Sequence, residues 1–294
     1  MEIVACEKYE EYVKDYDYSA VYFGTQRQLR TLVTRTDRDS LEFKIGVALG
    51  GVRESKGYAV EFMVDTNLLN TVDGADIFTL LPDDCYSIEN ANHTFVIPAG
   101  KFLGDCPVKI DKEKFVNLHP ASLENTYALP LRLLSTDADS ILSGRDYAII
   151  VIKYIDEHSG AYYTKGWQAQ WDGTAIVPET TEEYANIDLS KNKIRLLTTR
   201  SLTQFDMAGM GNLDNSNSTV AAADHLLVNL VAGVVTLATN PGSNAVADRG
   251  STYNADTKTF TFDYLYTKDG TSYLVNEVLV LRQDVEKELR FETW

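Results

Sequence analysis

From Ser19 onward the chain is patterned in twos. Leu41-Glu42-Phe43-Lys44-Ile45-Gly46-Val47 alternates apolar with polar or small residues, and Tyr58, Val60, Phe62 and Val64 repeat the pattern. Successive side chains of a strand point to opposite faces, so each run predicts a half-buried strand. Shorter runs predict further strands at Val21-Tyr22-Phe23, Ser87-Ile88, Thr94-Phe95-Val96-Ile97, Val108-Lys109-Ile110, Leu129-Pro130-Leu131-Arg132-Leu133-Leu134 and residues 147–152. Turn chemistry separates them, as in Pro98-Ala99-Gly100 and Ser143-Gly144. Pro130 lacks the N–H that a central strand donates, which predicts an edge strand or a bulge there. A single short helical piece is expected near Asn67-Leu68-Leu69-Asn70. Some seven short strands over about 130 residues predict an immunoglobulin-like β-sandwich.

The pattern changes after the polar break Asp156-Glu157-His158-Ser159-Gly160. The expected organisation is an N-terminal tether over residues 1–18, the sandwich over 19–155 and a second β-domain over 156–294. In the second domain, residues 226–230 and 234–238 flank Ala232-Gly233, and residues 259–266 and 272–281 flank Asp269-Gly270. Asp-Gly between two apolar runs is the strongest short-range hairpin signal. Phe260, Phe262, Tyr264 and Tyr266 give one strand a wholly aromatic face, with Thr261 and Asp263 pointing the other way. Long sequential hairpins predict an up-and-down barrel or meander, since closure removes exposed edges. Residues 206–224, rich in Gly, Asn, Ser and Ala, show no period and read as a long loop, mobile rather than functional.

Composition narrows the classes. With 44% hydrophobic and 24% charged residues over 294 positions, the chain is a folded one. No apolar run reaches the roughly 18 residues of a membrane-spanning helix. A net charge of −16, without a basic stripe, speaks against a nucleic-acid partner. Three cysteines are too few for a disulfide scaffold. Cys85 and Cys106 are compatible with one disulfide or with two free buried thiols.

The four histidines lie in no nucleophile motif, and there is no Gly-x-Ser-x-Gly, His-Glu-x-x-His, Cys-x-x-Cys or EF-hand loop. No catalytic residue, metal or cofactor is therefore expected. Asp214-Asn215-Ser216-Asn217 reads as turn chemistry rather than a cation loop. Asp83-Asp84 and Glu182-Glu183 read as solvated surface, because a glycosidase needs two carboxylates facing across a sugar. The functional candidates are aromatic: Tyr162, Trp167, Trp171 and Tyr184, with Tyr163 beside them and Gln168, Gln170 and Asp172 as hydrogen-bonding neighbours. Sugars present apolar C–H faces edged by hydroxyls, which suits flat rings with polar neighbours. Trp167 and Trp171 are an even number apart and share a face on one strand, either outward or packed inside the barrel. At the start, Val4-Ala5-Cys6 resembles the end of a bacterial lipoprotein signal without its charged and apolar regions. Cys6 is thus the lipidation candidate, and the polar residues after it suit a tether.

Ala20-Val21-Tyr22-Phe23, Val64-Asp65-Thr66-Asn67-Leu68-Leu69, Thr79-Leu80-Leu81-Pro82-Asp83 with Tyr86, Ile97-Pro98-Ala99-Gly100 and Tyr127-Ala128-Leu129-Pro130-Leu131 follow one another in a familiar order. This run resembles the immunoglobulin-like N-terminal domain of Bacteroidetes surface lipoproteins from polysaccharide-utilisation loci, a domain that also precedes some family-18 endo-glycosidases. Val246-Ala247-Asp248-Arg249-Gly250-Ser251, leading to Tyr253 and Phe260, is similar to the lipocalin-like barrel often paired with it. The resemblance implies an all-β chain, an immunoglobulin-like β-sandwich followed by a lipocalin-like β-barrel. It also implies a non-catalytic, cell-surface glycan-binding lipoprotein of the outer membrane, touching the membrane only through a lipid on Cys6. Its partners would be an oligo- or polysaccharide and other outer-membrane proteins of the same uptake system. Three alternatives stand beside it: an adhesion or scaffold protein holding a protein partner, a hydrolase using carboxylates at the barrel mouth, and a barrel holding a small apolar ligand.

Overall fold

The computed structural model describes residues 18–25, 29–34, 41–90, 92–212 and 221–283. Cys6, the tether up to residue 17 and Asp214-Asn215-Ser216-Asn217 lie outside the described residues. The protein is all-β, in two compact units that divide along the chain between Lys153 and Tyr154. Among the described residues no helix is long and apolar enough to cross a membrane.

The first unit contains β1 (Ala20–Phe23), β2 (Leu29–Thr34), β3 (Leu41–Gly50), β4 (Tyr58–Val64), β5 (Thr79–Leu80), β6 (Tyr86–Ile88), β7 (Thr94–Ile97), β8 (Leu103–Ile110), β9 (Tyr127–Thr136), β10 (Ser140–Ile141) and β11 (Tyr147–Tyr154). They form two sheets, β10-β1-β3-β8-β6 and β2-β11-β9-β4-β7, with β5 running parallel to β9. Alternate residues of each sheet are buried, among them Val21, Phe23, Ile45, Val47 and Val108 from one and Val60, Phe62, Phe95 and Ile97 from the other. Phe95 stacks on Phe62 at 4.3 Å between ring centroids and meets Phe23 edge-on at 6.2 Å, joining the two faces into a sandwich core. The central run Ala148–Ile152 is buried on both faces. Leu68 and Leu69 of α1 (Leu68–Thr71), with Ala75 and Phe78, cover the side turned away from the sandwich core by packing on Ala128, Ile149 and Val151.

Two expectations need correction, and one open alternative is decided. A second helix, α2 (Lys112–Leu118), follows β8; Asp111 caps it by accepting from the Lys114 N–H, and it buries only Phe115 and Val116. Two buried residues in seven leave too little period for the sequence pattern to show. Strand β9, which carries Pro130, is central rather than an edge. Its partner on one side changes there: β5 ends opposite Ala128 and β4 begins opposite Leu131, so the missing donor of Pro130 falls in the gap. The Pro130 carbonyl still accepts from the Asp65 N–H at 3.1 Å. Cys85 and Cys106 are both free, buried thiols, donating to the carbonyls of Pro82 and Pro107.

Beside that gap, Arg132 bridges two carboxylates, Nε lying 2.6 Å from Asp65 and Nη1 2.8 Å from Asp146. The Arg132 hydrogen bond holds the Asp65 carboxyl below its ordinary value of 3.8. A group with a depressed folded-state pKa stabilises the fold fully above its unfolded value and loses that contribution as pH falls through the folded one. Urea midpoints of the parent are therefore expected to fall below pH 3.8 more steeply than those of Asp65→Asn, and parallel acid limbs would count against this pair.

The second unit contains β12 (Gly160–Gln170), β13 (Glu182–Tyr184), β14 (Ile194–Thr199), β15 (Gln204–Ala208), β16 (His225–Val231), β17 (Val234–Thr239), β18 (Ala245–Asp248), β19 (Thr252–Asn254), β20 (Thr259–Lys268) and β21 (Thr271–Leu281). One antiparallel sheet runs β17-β16-β15-β14-β12-β21-β20-β18, with β13 beside β12 and β19 beside β20. Its two ends come together where the Thr239 hydroxyl accepts from the Val246 N–H at 2.8 Å and donates to the Val246 carbonyl at 3.3 Å. The result is a nearly closed barrel. Both expected hairpins are present, Asp269-Gly270 with φ of 51° and 80° and Ala232-Gly233 with 49° and 82°. Positive φ at both turn residues matches the right-handed twist of the strands they join.

Phe260, Phe262, Tyr264 and Tyr266 all face inward and are buried, packing with Phe205, Met207, Met210 and Leu279. The barrel interior is thus a side-chain core, and an open barrel around a small apolar ligand gives way to that packing. The long loop expected over 206–224 is shorter: Asp206–Ala208 belong to β15, and residues 209–212 run into the barrel, burying Met210. Residues 213–220 lie outside the described residues.

Candidate functional site

Strand β12 carries most of the candidate residues, and its alternation sorts them. Tyr162, Thr164 and Gln168 are buried on the inner face. Trp167 is half-buried on the outer face, and Trp171, just past the strand, has the same parity and is likewise half-buried. The expectation that Tyr162 touches ligand is therefore corrected. Its ring is 1% exposed, in contact with Phe260, and its hydroxyl donates to the His158 carbonyl at 2.7 Å. Tyr184 is half-buried: β13 turns its hydroxyl onto Glu277 at 3.0 Å, and Lys193 Nζ lies 5.6 Å from its ring centroid. Of the two tyrosines that sequence groups with the tryptophans, Tyr162 is thus structural, and Tyr184 is anchored through its hydroxyl.

The inner end of the barrel is polar and closed. Glu277, fully buried, accepts from Tyr184 and from Tyr264 at 2.9 Å, and Arg195 Nη2 lies 3.4 Å away. Burial, then the Glu277 charge, pushes the Tyr184 and Tyr264 phenols up, so both remain protonated donors. Burial is the largest single influence on Arg195 and opposes its charge, but Glu277 with Tyr264 and Tyr184 together outweigh it, so the guanidinium stays charged. Arg195 also donates to the Gly211 carbonyl, while the Gly211 N–H donates to Tyr264 at 2.8 Å. Gly211 has φ 53°, and a Cβ there would lie 2.9 Å from the Tyr266 ring, so only glycine fits this approach. Gln168 ties the same segment down, accepting from the Asn212 N–H and from Tyr266 and donating to Glu182. Glu182 and Glu277 are therefore held as acceptors in this network.

The outer face is built differently. Directly opposite residues of a ladder project to the same side. Trp167 lies opposite Glu183 on β13 and Asn276 on β21, and Asn276 lies opposite Asp263 on β20. The row across the barrel wall reads Glu183, Trp167, Asn276, Asp263: an indole between a carboxylate and an amide. Arg249 extends the row, its Nε 3.6 Å from Asp263 and its guanidinium 4.9 Å above the Trp171 ring. Gly166 allows β12 and β21 to come this close, since a Cβ there would lie 2.7 Å from the Glu277 Cα. Of the polar neighbours expected from sequence, Gln170 is exposed near Trp171 in the chain, and Gln168 points inward. Asp172 is engaged by its own turn, Oδ1 accepting from the Thr174 and Ala175 N–H groups. Glu183, Asn276 and Asp263 join the tryptophans from other strands, and Arg249 from the residue after β18. Only the outward parity of Asp263 is readable locally, from its place between Phe262 and Tyr264.

A family model for an N-terminal domain matches residues 16–140. No curated protein matches the chain. Among solved structures, the chain is similar to a Bacteroides ovatus protein of unknown function at 18% identity and a TM-score of 0.73, covering 91% of this chain and 95% of that one. It is also similar to an auxiliary nutrient binding protein of Bacteroides thetaiotaomicron at 14% identity and a TM-score of 0.47, covering 90% and 94%.

Proposed function

We propose that the protein is a non-catalytic glycan-binding protein of the surface-lipoprotein type and that the sugar lies on the outer row of the second unit. The observation that carries this reading is Trp167 and Trp171 half-exposed on one face of the barrel, with Glu183, Asn276, Asp263 and Arg249 around them. An indole offers the C–H face of a pyranose a flat apolar surface with little rotamer entropy to lose, and the flanking carboxylates and amide accept from and donate to its hydroxyls. Arg249 lies over one face of the Trp171 ring and restrains its rotation, which prepares the platform before binding.

Retention on gels containing plant and host polysaccharides tests the reading. One polymer is expected to retard the parent chain, and Trp167→Ala and Trp171→Ala are each expected to weaken that binding by about tenfold or more, or about 1.4 kcal/mol. Tyr162 lies in the core and is not a binding variant. Retention unchanged in both tryptophan variants would remove the site, and no retention by any polymer would favour a protein partner. The lipid anchor is part of the proposal: Cys6 follows Val4-Ala5 and precedes a polar stretch suited to a tether. In cells, Cys6→Ala is expected to move the protein from the membrane to the soluble fraction, and unchanged membrane attachment would refute the anchor.

A further inference from the structure

We propose that Asp84, Cys85 and His119 of the first unit form a zinc site with three protein ligands and an open fourth position. One donor atom from each residue, a carboxylate oxygen, the thiol sulfur and an imidazole nitrogen, lies within 4.8 Å of the other two. His119 Nε2 and Asp84 Oδ1 are already 2.9 Å apart. Ligand atoms about 3.3–3.7 Å apart surround a tetrahedral zinc bonded at roughly 2.0–2.3 Å. The histidine–aspartate pair, at 2.9 Å, therefore opens by only a few tenths of an ångström to admit the ion.

The fold supplies the rigidity such a site needs. Asp84 and Cys85 are consecutive on a single 3₁₀ turn, and His119 follows the last residue of α2. The two pieces are tied by the backbone, the Asp111 N–H donating to the Cys85 carbonyl at 2.8 Å at the helix start. Lys114 Nζ donates to the Asp84 carbonyl, which leaves the Asp84 carboxylate to His119 and to a metal. A cleft of about 570 Å³ is lined by Asp84 and Cys85 together with Tyr86 and Asp111, so two of the three ligands border open space. Sulfur, nitrogen and oxygen together suit zinc or cobalt, whereas magnesium and calcium prefer all-oxygen shells. On binding, the Cys85 S–H bond breaks, its proton leaves to solvent, and the sulfur exchanges the Pro82 carbonyl for the metal. This site is independent of the glycan platform.

Cobalt(II) titration of the full, untagged, chelator-treated chain carrying Cys6→Ser tests the proposal, because a thiolate–cobalt charge-transfer band reports sulfur ligation directly. The expected result is a band that saturates at one equivalent, is displaced by zinc and is absent in Cys85→Ser. His119→Gln and Asp84→Asn are expected to weaken binding by more than about tenfold. Zinc is also expected to raise the melting temperature of the parent and not that of Cys85→Ser. No charge-transfer band, or a band that persists in Cys85→Ser, overturns the proposal. If Cys85→Ser does not fold, the two partly exposed ligands decide it: full affinity in both His119→Gln and Asp84→Asn refutes the site.

Discussion

Glu277→Leu, with Arg195 left in place, is expected to lower the stability of the second unit by about 3–5 kcal/mol. Both side chains are fully buried, so the substitution leaves a guanidinium in the barrel core with no counter-charge. It also removes the shared acceptor of the Tyr184 and Tyr264 hydroxyls. Arg195→Met is expected to cost a similar amount by stranding the carboxylate. The double variant is expected to be more stable than either single one, because no uncompensated charge remains in the core. Its residual deficit comes from the hydroxyls of Tyr184 and Tyr264 losing their acceptor and the Gly211 carbonyl losing its donor, at about 1–3 kcal/mol for a buried polar group without a partner. Urea unfolding of the four chains measures the coupling, and additive losses would mean that the pair does not act as a unit.

The second large effect is expected at Phe95. Its ring is fully buried between Phe62 and Phe23, so Phe95→Ala opens a cavity at the contact that joins the two sheets of the sandwich. Loss of a buried Phe side chain costs about 3–5 kcal/mol, the upper end applying where neighbours cannot collapse inward. Phe62 and Phe23 are anchored on different sheets, which favours the upper end. Phe95→Leu is expected to recover most of the loss. A loss below about 1.5 kcal/mol for the alanine variant would mean that the site closes over the gap.

The parts of the fold that sequence exposed were those whose signal is local. The aromatic face of residues 260–266 and the Asp269-Gly270 turn give β20, β21 and their register outright, down to Lys268 opposite Thr271. The alternation over 41–47 likewise gives the middle of β3. What stayed hidden depends on partners far along the chain. Pro130 reads as an edge or a bulge because nothing near it reveals that β5 ends and β4 begins beside it. Strand β15 carries Phe205 and Met207 inward, yet its neighbours Gln204, Asp206 and Ala208 merge into a polar, Gly-rich stretch that masks the alternation.

The same distinction governs the candidate site. The shared face of Trp167 and Trp171 follows from an even spacing on one strand. Tyr162, an odd number away, belongs to the opposite face, a parity that spatial grouping of aromatic residues overlooks. Arg195 and Glu277 are 82 residues apart, and each looks like a surface charge on an amphipathic strand. Their alternation with Leu197 and with Val275 and Leu279 gives the inward side, but only the nearly closed barrel shows that the two meet.

The Thr239–Val246 contact has a consequence in time rather than in distance. Strand β21 is hydrogen-bonded along both flanks, to β12 and β20, so its amides are released only when the whole unit unfolds. The Val246 N–H is held at the seam by a single hydroxyl. Hydrogen exchange is expected to find the Val246 amide trading with solvent far faster than those of the opposite wall, which would give the barrel a built-in direction in which it begins to come apart.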